Sequence, residues 1–140
     1  MFSPNVKVYP DVDKVMIKIL IVDDNHLFRK RLKVFLIEQP EIEVVGEALN
    51  SQEALRKAGE LEPDVVLMDI KMKHTNGFKI TRKLKEELPW IKVIILSSYD
   101  LNEYREAAQA SGASAYVTKR ALVDELLPTV RRVLQHDQST

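Results

Sequence analysis

The sequence predicts an α/β fold built on a parallel five-stranded sheet with helices on both faces. Three observations carry that expectation. Short runs of branched aliphatic residues alternate with amphipathic stretches of helical period, and the alternation repeats along nearly the whole chain. Most of these runs are apolar throughout, as strands covered on both faces are, and do not alternate like half-exposed ones. Proline and glycine fall between the runs, where turns belong.

In chain order, residues 18–22 form the first expected strand, which stops at the adjacent carboxylates Asp23 and Asp24. Leu27, Leu32, Phe35 and Leu36 then make the apolar face of a first helix. Residues 43–48 are the second strand; Ala54, Leu55, Ala58 and Leu61 line the second helix, with Ser51 as its expected N-cap and Gly59 near its end. Pro63 introduces the third strand, Val65–Met68. Phe78, Ile80, Thr81, Leu84 and Leu88 share one face of the third helix, and Pro89 precedes the fourth strand at 92–96, with Trp90 expected to anchor the loop. The fourth helix, 101–110, is rich in alanine and ends at Gly112. Residues 115–117 are the fifth and weakest strand. Leu122, Leu126, Val130 and Val133 mark the last helix, with Pro128 inside it. Five strands with a reversal of order beside the first suit the flavodoxin-like, doubly wound order 2-1-3-4-5 better than a six-stranded Rossmann sheet. Neither G-x-G-x-x-G nor G-x-x-x-x-G-K-[ST] follows the first strand, which argues against a dinucleotide or P-loop site.

Composition narrows the function classes. The 140 residues suffice for one domain with a hydrophobic core: residues 1–16 read as a poorly ordered leader, 17–136 as the domain and 137–140 as a tail. Lysines and arginines number 21 and acids 21, so no net positive charge draws the chain to nucleic acid or an anionic membrane. There is no cysteine, which excludes disulfides and thiolate metal sites and fits a reducing compartment. The apolar runs are strand-sized, far short of the ~20 residues of a membrane span.

In a parallel sheet the carboxyl ends of all strands share one edge, where ligands bind. The first strand delivers Asp23 and Asp24 to that edge, the third Asp69, the fourth Ser97 and Ser98, and the fifth Thr118 and Lys119. Two like charges ~4 Å apart repel by about 4 kcal/mol at an effective dielectric of ~20. Three carboxylates there must raise their pKa values or recruit a cation. An all-oxygen donor set suits Mg²⁺, with Mn²⁺ the second candidate, and does not suit zinc. A divalent ion, an ammonium and a hydroxyl around one exposed carboxylate can stabilise a phosphoryl group on Asp69 as an aspartyl phosphate.

The motifs ILIVDDN, VVLMDIKM followed by NGF, VIILSS and AYVTK, in that order and at these spacings, resemble the receiver domain of two-component response regulators. The resemblance runs from Lys18 to about Leu134. It implies a cytoplasmic signalling switch, and not an enzyme acting on a separate substrate. It implies that Asp69 is the phosphoacceptor, supplied by a histidine kinase or phosphotransfer protein. Asp23, Asp24, Asp69 and the backbone carbonyl of Lys71 would hold Mg²⁺. Ser97 would be the switch hydroxyl, Lys119 the lysine contacting the phosphoryl group, and Tyr116 the aromatic whose rotamer follows phosphorylation. The output face would be the fourth helix, fifth strand and fifth helix, binding a partner or a second copy of the chain. The wording leans towards the branch that often carries a C-terminal helix-turn-helix. This sequence closes with QHDQST soon after the fifth helix, so no second domain and no direct nucleic-acid binding are expected within it.

Three positions depart from the family pattern: Lys73 where proline is usual, Ser98 where a small Ala or Gly is commoner, and Arg120 where proline is frequent. Lys73 and Ser98 keep a second reading open, a pseudo-receiver that serves as a constitutive interaction module. A phosphohydrolase with an aspartyl nucleophile commonly needs a second carboxylate two residues on; Lys71 stands there. Taken singly, the acidic pair reads as a helix-cap region, Tyr116 as a partly buried core aromatic, and His26, His74 and His136 as surface residues. Arg29, Lys30, Arg31 and Lys33 read as the solvated face of the first helix, with a docking surface for a phosphotransfer partner as the alternative.

Overall fold

A computed structural model describes residues 16–138. The sheet strands are β1 (Ile17–Val22), β2 (Ile42–Ala48), β3 (Val65–Met68), β4 (Lys92–Ser97) and β5 (Ala115–Thr118). Between and after them come α1 (His26–Ile37), α2 (Ser51–Leu61), α3 (Gly77–Glu87), α4 (Asn102–Ser111) and α5 (Leu122–Gln138). All neighbours in the sheet are parallel, in the order β2-β1-β3-β4-β5 that the sequence predicts. A small antiparallel hairpin, Lys71–Met72 with Thr75–Asn76, sits between β3 and α3 outside the sheet. The expected leader falls almost wholly on residues 1–15, outside the described ones. The helix α5 runs to Gln138, past the boundary expected for a tail at 137. Among the described residues no helix is long and apolar enough to cross a membrane.

Alternation along the strands divides the core in two. Ile19, Ile21, Val65, Leu67, Ile94, Leu96 and Val117 pack with Leu32 and Leu36 of α1 and with Leu126 and Val130 of α5. Leu20, Val22, Val66, Met68, Val93 and Ile95 pack on the other face with Ala54, Ala58, Ile80, Leu84 and Ala108, from α2, α3 and α4. Each fully buried aliphatic side chain contributes about 1.5–3 kcal/mol. A one-residue slip of any strand would exchange its two faces, so register is tightly set. The carboxyl edge inherits that precision. The pairing of β1 with β2 shifts once, between Ile19 and Leu20, on the outer strand and away from that edge.

Three asparagines start the first three helices. The side chains of Asn25, Asn50 and Asn76 accept from the backbone N–H of Phe28, Glu53 and Lys79, capping α1, α2 and α3. The cap of α2 is therefore Asn50 and not Ser51, and α2 continues past Gly59 to end at Glu62 in the left-handed region, φ 49°. Gly112 closes α4 with φ 102°, as a C-terminal glycine should. Trp90 does not anchor its loop: it is 51% exposed, while neighbouring Ile91 is fully buried. Lys85 holds that loop instead, donating to the carbonyls of Pro89 and Ile91. Pro128 lies inside α5 as expected.

Candidate functional site

The two carboxylates after β1 are not the cap of α1, since Asn25 performs that role. Asp23 is 2% exposed. Its Oδ1 accepts the Asn25 N–H at 2.8 Å, and its Oδ2 faces Lys119 Nζ at 3.0 Å. Asp24 lies further out and accepts the backbone N–H of Lys73 at 2.8 Å through Oδ2. Asp69 comes directly after β3, its own N–H donating to the Val22 carbonyl at 2.9 Å, which locks it beside the end of β1. Lys119 Nζ reaches Asp69 Oδ1 at 3.4 Å. One carboxylate oxygen from each of Asp23, Asp24 and Asp69 lies within 4.8 Å of the others, a donor set able to hold a metal ion. Hard oxygen donors at this spacing fit Mg²⁺ or Mn²⁺.

Crowding is visible in the electrostatics. Burial pushes the Asp69 carboxyl up to about 6, with the neighbouring charge of Asp23 adding to the rise; Lys119 and the Ile70 N–H oppose it. The Lys119 ammonium also sits 3.9 Å from the centroid of the Phe28 ring, which shields it from water on that side.

A glycine is required just beyond. Gly77 N donates to the Ile70 carbonyl at 2.8 Å, and a Cβ at Gly77 would overlap the Asp69 carbonyl oxygen and come within 2.9 Å of Met68 Cγ. The NGF sequence thus lets the start of α3 press against the residue that carries the third carboxylate. Thr81 ties that turn down, its hydroxyl donating to the Gly77 carbonyl at 2.7 Å.

On the β4–β5 side, Ser97 is fully buried and its Oγ accepts the Tyr99 N–H at 3.1 Å. Ser98 is exposed. Tyr116 is half-buried, as an aromatic on an outer strand should be; its hydroxyl donates to the Tyr99 carbonyl at 2.6 Å, and the Arg105 guanidinium lies 4.7 Å from its ring. The Lys71 ammonium lies 4.4 Å from the Tyr99 ring and 5.9 Å from that of Tyr104. So the loop after β3 touches the start of α4 through a cation on aromatic rings.

Two residues of α1 differ from the sequence reading: Leu27, expected on the apolar face, is 54% exposed, and Arg29 reverses the other way. Arg29 is buried and not on the solvated face of α1. Its Nη1 donates to the Asp23 carbonyl at 2.8 Å, and its Nε to Glu47 at 2.9 Å. Glu47 also accepts Lys33 at 2.8 Å. Burial raises the Glu47 carboxyl, but the two cations outweigh it and hold the group below the ordinary range. Spacing would have revealed Arg29: it stands three residues before Leu32 and seven before Leu36, on their side of the helix. Of the histidines, His26 and His74 are exposed as read, and the side chain of His136 lies outside the described ones.

A family model described as the response regulator receiver domain matches residues 19–131. Among curated proteins the chain is similar to the uncharacterized transcriptional regulatory protein YhcZ of Bacillus subtilis, 42% identical over 112 residues, covering 80% of this chain and 52% of that protein. It is also similar to the transcriptional regulatory protein DegU of Brevibacillus brevis, 38% identical over 124 residues, covering 89% of this chain and 52% of that one. The chain thus spans about half the length of these relatives. Among solved structures, the response regulator domain of Thermotoga maritima CheB matches with a TM-score of 0.78 at 34% identity, covering 84% of this chain and 95% of that one. A LuxR-family two-component response regulator from Aurantimonas sp. SI85-9A1 matches with a TM-score of 0.82 at 28% identity, covering 86% of each.

Proposed function

The chain belongs to the response-regulator receiver family, and from that premise we propose that it is a cytoplasmic, phosphorylation-controlled switch with Asp69 as its phosphoacceptor. The observation that carries this reading is the meeting of Asp23, Asp24, Asp69 and Lys119 at one sheet edge, with ligand oxygens within 4.8 Å of one another.

The donor would be a phosphohistidine of a histidine kinase or phosphotransfer protein. An Asp69 carboxylate oxygen attacks phosphorus, the P–N bond breaks, and the imidazole leaves with the electron pair. Asp23, Asp24, Asp69 and the Lys71 carbonyl would hold Mg²⁺, with Mn²⁺ as substitute; when bound, the ion neutralises charge on the phosphoryl oxygens. Lys119, already within 3.4 Å of Asp69, would move its ammonium onto another of those oxygens. The Ser97 hydroxyl would exchange its bond from the Tyr99 N–H for a bond to the phosphoryl group. That exchange frees the 98–101 loop to move and opens space for the Tyr116 ring. The equilibrium of the α4–β5–α5 face then shifts, changing its affinity for a partner or for a second copy of this chain. The balanced net charge supports an output through protein contacts and not through direct nucleic-acid binding.

A pseudo-receiver is the second reading, kept open by the departures at Lys73 and the exposed Ser98. Incubation with Mg²⁺ and acetyl phosphate, followed by intact-mass measurement, separates the two. A single alkali-labile phosphoryl adduct, absent from Asp69→Asn, is expected; no adduct under any condition would leave the interaction module in front.

A further inference from the structure

We propose that the backbone N–H of Lys73 is a positioning group for Asp24, setting that carboxylate for a divalent cation before one arrives. The inference rests on the Mg²⁺ reading above and concerns how this chain prepares its outermost carboxylate.

The three carboxylates are held by different means. Asp23 and Asp69 share Lys119, an ammonium that bridges β1 and β3 from β5. Asp24 instead takes the Lys73 N–H, donated to its Oδ2 at 2.8 Å from a residue 49 positions away. That bond ties the loop after β1 to the hairpin after β3. The hairpin is well defined: Lys71 pairs with Asn76 and Met72 with Thr75, leaving Lys73 and His74 as a two-residue turn. His74 takes φ 66°, the left-handed conformation that such a turn asks of one of its residues. The far end of the hairpin is fixed by the Asn76 cap on α3 and by the Gly77 N–H on the Ile70 carbonyl. The donor is therefore on a segment pinned on both sides, and the carboxylate is brought to it.

The same hairpin carries the Lys71 carbonyl, two residues before the donor. A single hydrogen bond thus sets the spacing between one carboxylate and the segment bearing the proposed backbone ligand. A carboxylate has about four lone-pair sites on two oxygens, so one N–H on Oδ2 leaves Oδ1 and a further lone pair for a cation. Only a residue other than proline can supply this donor, because proline has no N–H. Position 73 is where the resemblance leads one to expect proline. Here the departure gives the site a hydrogen bond and does not merely loosen a loop.

Two substitutions separate the amide from the side chain. Lys73→Ala keeps the N–H and removes the ammonium; Lys73→Pro removes the N–H. With isotope-labelled protein at fixed pH and ionic strength, Mg²⁺ affinity is read from amide shifts during titration, and folding from far-UV circular dichroism. Lys73→Pro is expected to weaken Mg²⁺ binding roughly three- to tenfold, the order expected for one hydrogen bond to a carboxylate in a solvent-accessible site. Lys73→Ala should stay within about twofold of the unaltered chain. In the Mg²⁺-free protein, hydrogen exchange of the residue-73 amide should accelerate in Asp24→Ala, a readout that stands even if Lys73→Pro fails to fold. Equal affinities in all versions, equal losses in Lys73→Ala and Lys73→Pro, or an exchange rate at residue 73 indifferent to Asp24 would each overturn the inference. Failure of the unaltered chain to bind Mg²⁺ at all would overturn the underlying metal reading and this inference together.

Discussion

At the β1 and β3 ends of the carboxyl edge, functional groups stand on buried strands, and each is tied by hydrogen bonds to something rigid. Asp23 is almost wholly enclosed, accepts from Asn25 and Lys119, and has its carbonyl fastened by Arg29. At the β4 and β5 ends the pattern reverses. Ser97 is buried, but the residues after it turn outward: Ser98 to Leu101 are all exposed, and Tyr99 is 39% exposed. The Tyr116 hydroxyl is held by a backbone carbonyl of that same exposed loop. In addition α4 begins at Leu101 without a side-chain cap, unlike the three asparagine-capped helices. The difference suits the switch proposed above. Chemistry requires groups that do not reorganise, while a report of that chemistry requires groups whose alternative arrangements cost little.

Substitutions at either end probe this contrast. The largest effect is expected at Asp69→Asn, which should abolish the phosphoryl adduct, while the melting temperature of the Mg²⁺-free protein stays level or rises because one crowded charge is gone. Next comes Arg29→Ala. Removing the guanidinium takes the Arg29 donor from the buried Asp23 carbonyl and leaves Glu47 with Lys33 alone, so unfolding free energy should fall by about 1–3 kcal/mol in a denaturant titration. A substitution on the exposed face of α1, such as Lys30→Ala, should cost under ~0.5 kcal/mol.

Protons compete with the cation at the rigid end. The folded-state pKa of Asp69, about 6, lies above the ordinary carboxylate value of 3.8. Between those values the Mg²⁺-free folded chain binds more protons than the unfolded one, so its stability from this group grows as pH falls through 6 and is lost as pH rises. Mg²⁺ needs the deprotonated carboxylate, so its affinity should be flat above roughly pH 6.5 and fall as pH drops below 6, measurable by titration at several pH values. At the loosely held end the effect on stability is expected to be smaller than that of Arg29→Ala, as Tyr116→Phe would show. Losing one partly exposed hydroxyl should change stability by less than ~1 kcal/mol, yet amide exchange in the loop after β4 should quicken.

Much of the carboxyl edge is legible in the sequence, because parallel strands must end together. Asp23, Asp69, Ser97 and Lys119 are found by looking at the residues that close each apolar run. The remainder depends on rotations and backbone groups that side-chain chemistry does not announce. Arg29 stands beside the exposed Lys30 and Arg31, and only its helical phase with Leu32 and Leu36 separates it from them. Asn50 and Ser51 are adjacent and both favourable caps, so one residue of phase decides between them. The Lys73 donor is a backbone N–H, and the identity of its residue says only that it is not proline. Size singles out Trp90 as the anchor of its loop, yet Ile91 occupies the buried position.

Whether a fixed acidic cradle drives a loosely held face can be read from hydrogen–deuterium exchange on the chain with Mg²⁺, before and after acetyl phosphate. Protection is expected to change across the β4–α4 loop, α4 and β5, residues 98–118, while the amides of β1 and β3 stay as they were. An adduct on Asp69 with no change in that segment, or with an equal change throughout the sheet, would be incompatible with such a division of labour.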